Sequence, residues 1–543
     1  MSSDFVPMNL LLSRKLPLNS ADFEVLRSSE QIYVDKAQAV LNISVFNSSF
    51  LFTRPRFFGK TLLISTFASL FEHGFKYFEG LKIDKQYRKF WENEKTYKVL
   101  RLDLSLCSVF SDVKEFLTAF ENQLSNALIR IGMKLSEKGE NDTLISRFDR
   151  LLNGLDDASL VLLIDEYDAP LNHCLDNEQL FSEVRNELYS FYLDVKNQSP
   201  KMRFVFMTGV NNYKNFEIFS GANHVIDLSL MSDYGTLLGY TKEEIEEYFS
   251  PFVENAAKVL NISYEACLNK MATYYDGYCF DSNASTHVFT PRSVLNFLKY
   301  PQNEFDNYWY ESSRLPSVLI NYIKKHSLCT PDAYGREQSI SIVELDSSSD
   351  SGEVNDLALL FQIGYLSIKK AMPKDKVVVL NYPNSKVANS MARIYVDKFV
   401  KGKSWLNLYT EFMEHTPEQI VDFLNNNLLA TTYVVYPVEN ESVLRAILGF
   451  CIKSSGLEAR FEESNACGRS DLEVRAGKRY FVIELKYASE EDQTDQLLAQ
   501  AEAQITARHY GEQNGQGVIH VYMALVFSGK ERRFVKYSVR IEE

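Results

Sequence analysis

Arg54-Pro-Arg-Phe-Phe-Gly-Lys-Thr61 and, about a hundred residues on, Leu160-Val-Leu-Leu-Ile-Asp-Glu-Tyr-Asp168 decide how this chain folds. The first carries the end of the pattern G-x-x-x-x-G-K-[ST]. In that pattern backbone N–H groups approach phosphate oxygens, the lysine neutralises β/γ charge, and the hydroxyl ligates Mg²⁺. Gly59, Lys60 and Thr61 are in place, and Arg54 stands where the leading glycine is usual. An arginine there is unexpected if the position needs φ > 0. Ser49 to Thr53 reads as a buried strand and Thr61 to Phe71 as a helix. A strand, a loop and a helix opening at Lys-Thr place a phosphate on a helix N-terminus.

The second stretch is continuously apolar from Leu160 to Ile164, as a central parallel strand covered on both faces requires. Asp165 then falls at the carboxyl end of the strand, where α/β sheets gather ligand chemistry. It is placed to bind Mg²⁺, directly or through water. Glu166 is placed to orient and deprotonate an attacking water. A third apolar run, Arg203 to Gly209, ends in Thr208, a candidate for the γ-phosphate or water. Val99 to Leu104 and His224 to Leu228 are further strand candidates. Strands alternating with helical patterns predict an α/β fold, a doubly wound parallel sheet.

A chain of 543 residues spans several domains. Its net charge of −14 argues against a generally basic nucleic-acid coat but does not exclude a local positive cleft. The seven cysteines form no C-x-x-C pair and read as reduced structural thiols of a cytoplasmic protein. No basic n-region precedes the first apolar residues, and no apolar run reaches the ~18 residues of a membrane span, so no membrane is expected. Thr241 to Glu244 reads as a helix start, and Thr290-Pro291 as another. Asp346 to Gly352 is a polar, turn-rich surface loop.

The last ~110 residues carry separate chemistry. Gly468-Arg-Ser-Asp-Leu-Glu-Val-Arg475, a Gly-containing turn, and Arg479-Tyr-Phe-Val-Ile-Glu-Leu-Lys486 form a hairpin pattern. Glu484 and Lys486, two apart, share a face of the strand. A solvated hairpin with alternating charges is the plain alternative. Against it, the strand is apolar on both faces, so a Glu-x-Lys ending it needs a reason. Asp471 and Glu484 converging with Lys486 would bind one or two Mg²⁺ ions beside a phosphodiester. Lys486 would position the water or stabilise developing charge. A helix from Glu441 should precede the hairpin. A further acid comes from Glu441, Glu462 or Glu463, and Gln504 on a later helix is able to face the site.

Both halves resemble known families. Tyr33-Val-Asp-Lys36, Arg54-Pro-Arg56, Phe58-Gly-Lys-Thr61, Leu163 to Pro170, Met207-Thr-Gly209, Leu237 to Thr241 and Tyr275-Asp-Gly-Tyr278 resemble the bacterial AAA-ATPase-like family. Phe57 departs from it, since the family usually has a second arginine there. Asp471, Glu484-Leu-Lys486 and Gly468-Arg469 resemble the PD-(D/E)XK nuclease superfamily. The resemblance implies a P-loop core over 1–235, a helical lid over 236–300, an α-rich connecting region over 301–430, and a restriction-endonuclease-like α/β domain over 431–543. It implies ATP and Mg²⁺ as cofactors and nucleic acid as partner. The expected nucleotide-binding residues are Arg54, Arg56, Phe58, Gly59, Lys60, Thr61, Asp165 and Thr208, with Glu166 catalytic. Thr61, Asp165, Asp471 and Glu484 are the expected metal ligands, and Asp471, Glu484 and Lys486 the nuclease residues. Arg292 is a candidate γ-phosphate sensor. No arginine finger can be assigned, which leaves a homo-oligomer open. Three functions follow for testing: an ATP-driven nuclease, an NTPase switch whose nuclease-like domain binds without cutting, and an interaction scaffold.

Overall fold

The stretch Leu160–Asp165 is buried at every position because it is the second strand of an all-parallel sheet. This computed structural model describes residues 15–18, 20–83, 96–213, 225–305, 337–346, 355–395, 405, 407–430, 438, 440–461, 464–465, 468–490, 493–507 and 518–542. The sheet comprises β1 (Ser49–Thr53), β2 (Lys98–Asp103), β3 (Leu160–Asp165), β4 (Met202–Gly209) and β5 (Val225–Asp227), in the order β2-β3-β4-β1-β5. The phosphate-loop strand β1 and the acid-bearing β3 are therefore separated by β4, and all three point their carboxyl ends the same way.

Apolar side chains on both faces force helices onto both. Helices Val113–Arg130, Leu144–Asn153 and Glu178–Asn197 cover one face with Phe116, Phe120, Phe148 and Phe191. Helix Lys60–His73 covers the other, setting the Phe67 ring 4.6 Å from Phe206 and 5.2 Å from Phe204. Burying such rings stabilises the layer by roughly 1.5–3 kcal/mol per side chain.

Helices Lys242–Val259, Tyr264–Tyr275 and Pro291–Lys299 pack with Leu16, Ile32 and Val34 around a second core. Their starts follow the sequence. Thr241 and Glu244 form a reciprocal capping box, and Pro291 opens the last helix. The region expected to be α-rich also carries a small antiparallel sheet: β6 (Gln338–Ser341), β7 (Ser367–Met372) and β8 (Val377–Asn381), in the order β6-β8-β7. Its centre is Val377-Val-Val-Leu380, a β-branched run that suits a pleated, half-buried surface. The expected loop Asp346 to Gly352 lies, after Asp346, outside the described residues, as does His224 of the expected fifth strand.

Residues from 385 onward form a second compact unit. Its sheet runs β15 (Arg533–Glu542), β14 (Ile519–Ser528), β13 (Arg479–Ala488), β12 (Leu472–Ala476), β9 (Glu458–Phe461), with a two-residue ladder of β10 (Ser464–Asn465) on β11 (Gly468–Arg469). The β12–β13 hairpin turns at Gly477-Lys478, with Gly477 at φ +61. β13 is central, paired antiparallel to β12 and parallel to β14. Helix Glu441–Ser454 covers the face bearing Phe481, Ile483 and Leu485. Leu408, Phe412, Ile420 and Leu424, from inside the expected connecting region, bury into that same core. Among the described residues no helix is long and apolar enough to cross a membrane.

Candidate functional site

The expected phosphate loop joins β1 to helix Lys60–His73. Left-handed backbone falls at Phe57 (φ +71) and Gly59 (φ +103), not at Arg54. Position 54 therefore makes no demand for glycine, which accounts for the missing residue of the motif. The Arg54 side chain is buried and does not line the cleft around Lys60 and Thr61. Its Nη1 donates to the Thr53 and Ser229 carbonyls at 2.8 Å each, and its Nη2 to that of Tyr234 at 3.1 Å. The guanidinium lies 4.1 Å from the Phe52 ring centre and 4.5 Å from that of Phe280. Burial pushes its pKa down to about 9, with Asp227 partly offsetting this. Phe58 borders the cleft, but its ring is held edge-on against Tyr278 and Phe280, at 5.0 and 5.1 Å. Thr208 is fully buried and donates its hydroxyl to the Phe52 carbonyl at 2.7 Å, inside the sheet. Of the expected nucleotide contacts, Arg54 and Thr208 are bonded within the scaffold, while Phe58 packs against it and still borders the cleft.

The others converge. A cleft of about 900 Å³ is walled by Arg56, Gly59, Lys60, Thr61, Asp165 and Glu166. Lys60 is 4% exposed. Its ammonium reaches the carbonyls of Arg54 (3.2 Å) and Pro55 (3.3 Å) and lies 3.4 Å from Glu166 Oε1. Burial pushes the Asp165 carboxyl up to about 6, hydrogen bonding to Thr61 opposes this, and the Glu166 charge adds to it. A threonine hydroxyl meeting a buried carboxylate is a hard-oxygen pair of the kind Mg²⁺ takes. Glu166 itself sits at φ +50, a strained conformation for this residue type.

Neighbouring motif residues hold this geometry. Asp168 is fully buried, accepts from the backbone N–H groups of Val210 and Asn211, and bonds the Asn172 amide. It thereby ties the chain after β3 to the chain after β4. A Cβ on Gly209 would lie 2.3 Å from Asp168 Oδ1, so only glycine fits. Lys36 pairs with Glu244 at 2.6 Å, joining Tyr33-Val-Asp-Lys36 to the start of helix Lys242–Val259. Helix Pro291–Lys299 lends one face to the cleft, Arg292, Leu295, Asn296 and Lys299, at spacings of three and four residues. The Arg292 guanidinium stacks 4.7 Å from the Phe57 ring centre. Sequence reasoning singled out Arg292 alone; the 3.6-residue period of 292, 295, 296 and 299 was the signal for the rest.

The second cluster lies within the C-terminal unit. Asp471 precedes β12, accepting from Leu485 N–H at 2.8 Å and from Arg445 Nη1 at 2.6 Å. Glu484 and Lys486 lie on β13, with Lys486 Nζ 3.2 Å from Glu484 Oε1 and 3.5 Å from Glu441 Oε1. Glu441, first residue of helix Glu441–Ser454, is thus the glutamate brought to the cluster; Glu462 and Glu463 lie outside the described residues. Burial, then Asp471, pushes the Glu484 carboxyl up to about 7 against the pull of Lys486. Glu441 is raised too, by burial first. The buried Oε2 of Glu484 has no hydrogen-bond partner among the described residues. A cation between Glu484 and Asp471 would satisfy it, so the donor set fits a hard divalent metal. Gln504 Oε1 is likewise buried without a partner among the described residues. One participant escaped sequence reasoning: Arg445, although its i+4 spacing from Glu441 was legible. Glu473, elsewhere on β12, is a buried acid held by Ser470 and the Tyr480 hydroxyl.

Residues 17–219 match the family described as predicted AAA-ATPase, and residues 439–537 match the PD-(D/E)XK nuclease superfamily. A protein of Azotobacter chroococcum mcd 1 named "Uncharacterized protein in vnfD 5'region" is 25% identical over 499 residues, covering 87% of this chain and 89% of its own length. The chain therefore carries a predicted AAA-ATPase domain followed by a PD-(D/E)XK nuclease-superfamily domain, the order its two motif sets imply.

Proposed function

We propose that this is a cytoplasmic ATP-binding and ATP-hydrolysing protein whose C-terminal domain, residues 431–543, cuts nucleic acid in a metal-dependent reaction. The observation that carries the reading is a pair of constellations: Lys60, Thr61, Asp165 and Glu166 on one cleft, and buried Asp471, Glu484 and Lys486 joined by the half-buried Glu441 in one cluster. An interaction scaffold with degenerate sites would have no reason to keep buried acids against lysines, an arrangement that costs desolvation.

In the nucleotide core, residues 1–235, Lys60 leaves its loop carbonyls to neutralise β/γ-phosphate charge, and Gly59 lets the backbone approach. Thr61 and Asp165 would hold Mg²⁺. Glu166, freed from Lys60, orients and deprotonates the water. Arg56, and Arg292 from the lid over 236–300, face the phosphates. Arg54 and Thr208 brace the loop and its strand from within the sheet, and Phe58 borders the cleft. At the second site Asp471 and Glu484 would hold the metal, with Glu441 beside them, and Lys486 would position the water. When bound, the metal there would lower the pKa of a water and polarise the phosphodiester. The acidic balance of the chain means that nucleic acid must be held locally, since affinity follows phosphate neutralisation.

The test is cleavage of labelled single- and double-stranded DNA and RNA with Mg²⁺ or Mn²⁺, with and without ATP. Metal-dependent cutting that Asp471→Ala and Lys486→Ala abolish without unfolding is expected. Cutting by the variants equal to wild type would sink the assignment. No cutting of any substrate with ATP hydrolysis intact would favour a switch that binds nucleic acid without cutting it. In the first half, Lys60→Ala should lose nucleotide binding, while Glu166→Gln should bind ATP normally and lose hydrolysis. Normal hydrolysis by Glu166→Gln would remove that residue from its role.

A further inference from the structure

Arg445 stands one turn after Glu441 on the same helix face, so both reach the cluster that β12 and β13 build. Its Nη1 lies 2.6 Å from Asp471 Oδ1, and its side chain is 16% exposed. Asp471 Oδ2 is committed to the Leu485 N–H. Among the described residues Oδ1 accepts nothing else, and the arginine sits on it, so a metal taken by Oδ1 meets the guanidinium first. Lys486 serves Glu484 and Glu441 and leaves Asp471 to Arg445. A divalent ion between Asp471 and Glu484 would compete with the guanidinium for the same lone pairs and repel it. The displaced group would be a planar five-donor fork on a flexible stem, at the edge of a site read as holding a phosphodiester. That geometry suits bidentate phosphate recognition.

We propose that Arg445 is a displaceable counter-ion: it neutralises Asp471 when no metal is bound, and on metal entry it moves to a phosphate oxygen of the nucleic-acid backbone. The proposal rests on the metal-dependent nuclease reading of this domain and adds to it a residue with two successive anionic partners.

The experiment titrates the full chain with Mn²⁺ alone, by calorimetry, and then measures binding of a labelled oligonucleotide in Ca²⁺. Asp471→Ala defines the heat that belongs to this site. Arg445→Gln should tighten Mn²⁺ binding about tenfold, the scale of one unit charge acting across a few ångströms in a partly hydrated site. It should also weaken oligonucleotide binding severalfold. Arg445→Lys keeps the charge but not the fork; Mn²⁺ affinity should stay near wild type while oligonucleotide binding falls. A merely structural arginine would give weaker metal binding in both variants together with a lower unfolding temperature, and that result overturns the proposal. So does Asp471-dependent Mn²⁺ binding that Arg445→Gln leaves unchanged, or unchanged oligonucleotide binding. Wild type with no Asp471-dependent Mn²⁺ heat would overturn the metal-site reading itself, and the proposal with it.

Discussion

Arg54 replaces a glycine that the phosphate-loop pattern treats as its first requirement, and the backbone explains why the loop survives. The left-handed turn is taken at Phe57 and Gly59, so residue 54 is free to be large. Its charge is spread over three carbonyls and two aromatic faces, the kind of pairing a buried cation requires. Restoring the common motif should therefore harm this protein. Arg54→Gly is expected to destabilise the N-terminal unit by about 3–5 kcal/mol in urea unfolding, because it strands buried acceptors and opens a void. An unchanged midpoint would show that the loop does not depend on the arginine. Gly209→Ala should also destabilise, since the added methyl meets the Asp168 carboxylate. Candidate residues for phosphate and metal chemistry could be named from sequence because that chemistry admits few side chains. The direction of a side chain was not: Thr208 has the right chemistry at the right strand end, yet bonds Phe52 across the sheet.

At the level of elements, alternation did most of the predictive work. With a side-chain period of two, Glu484 and Lys486 had to share a face, and the apolar residues between and before them had to bury the strand. Both hold in β13. Which helix residue joins them depends on where a helix end meets the sheet, a tertiary matter, so three glutamates stayed open and Arg445 went unnoticed. This element also has a pH signature. Glu484 is raised from 4.5 to about 7, so the fold prefers its neutral form. That preference is present below pH ~4.5 and is lost as pH rises through about 7. In the metal-free protein, the transition of the C-terminal unit should fall between pH 5 and 8 more steeply in wild type than in Glu484→Gln, whose side chain stays neutral. Mn²⁺ binding by wild type should strengthen over the same window, as the ligand carboxylate ionises. Equal pH slopes for the two proteins in thermal unfolding would refute this account of Glu484.

On the scale of the whole chain, the two ends announced themselves and the middle did not. The two ends carry motif residues at fixed spacings, whereas β6 to β8 are short strands whose pairing only distant sequence can supply. The helices before residue 431 read as a connector, because apolar faces do not say which core they will join; Leu408, Phe412 and Ile420 join the nuclease-like one. Two units with separate cores make a concrete expectation for scanning calorimetry, namely two transitions with separable ligand responses. ADP at about a hundred times its Kd, compared with Mg²⁺ alone, should stabilise one transition by about 2.7 kcal/mol through mass action. Lys60→Ala should erase that shift and leave the other transition where it was. Mn²⁺ without nucleotide should raise the second transition, and Asp471→Ala should erase that rise alone. If ADP and Mn²⁺ instead moved a single transition, and either variant silenced both responses, the units would unfold as one cooperative body. Nucleotide occupancy would then be energetically coupled to the metal cluster in the folded chain itself, before any nucleic acid binds.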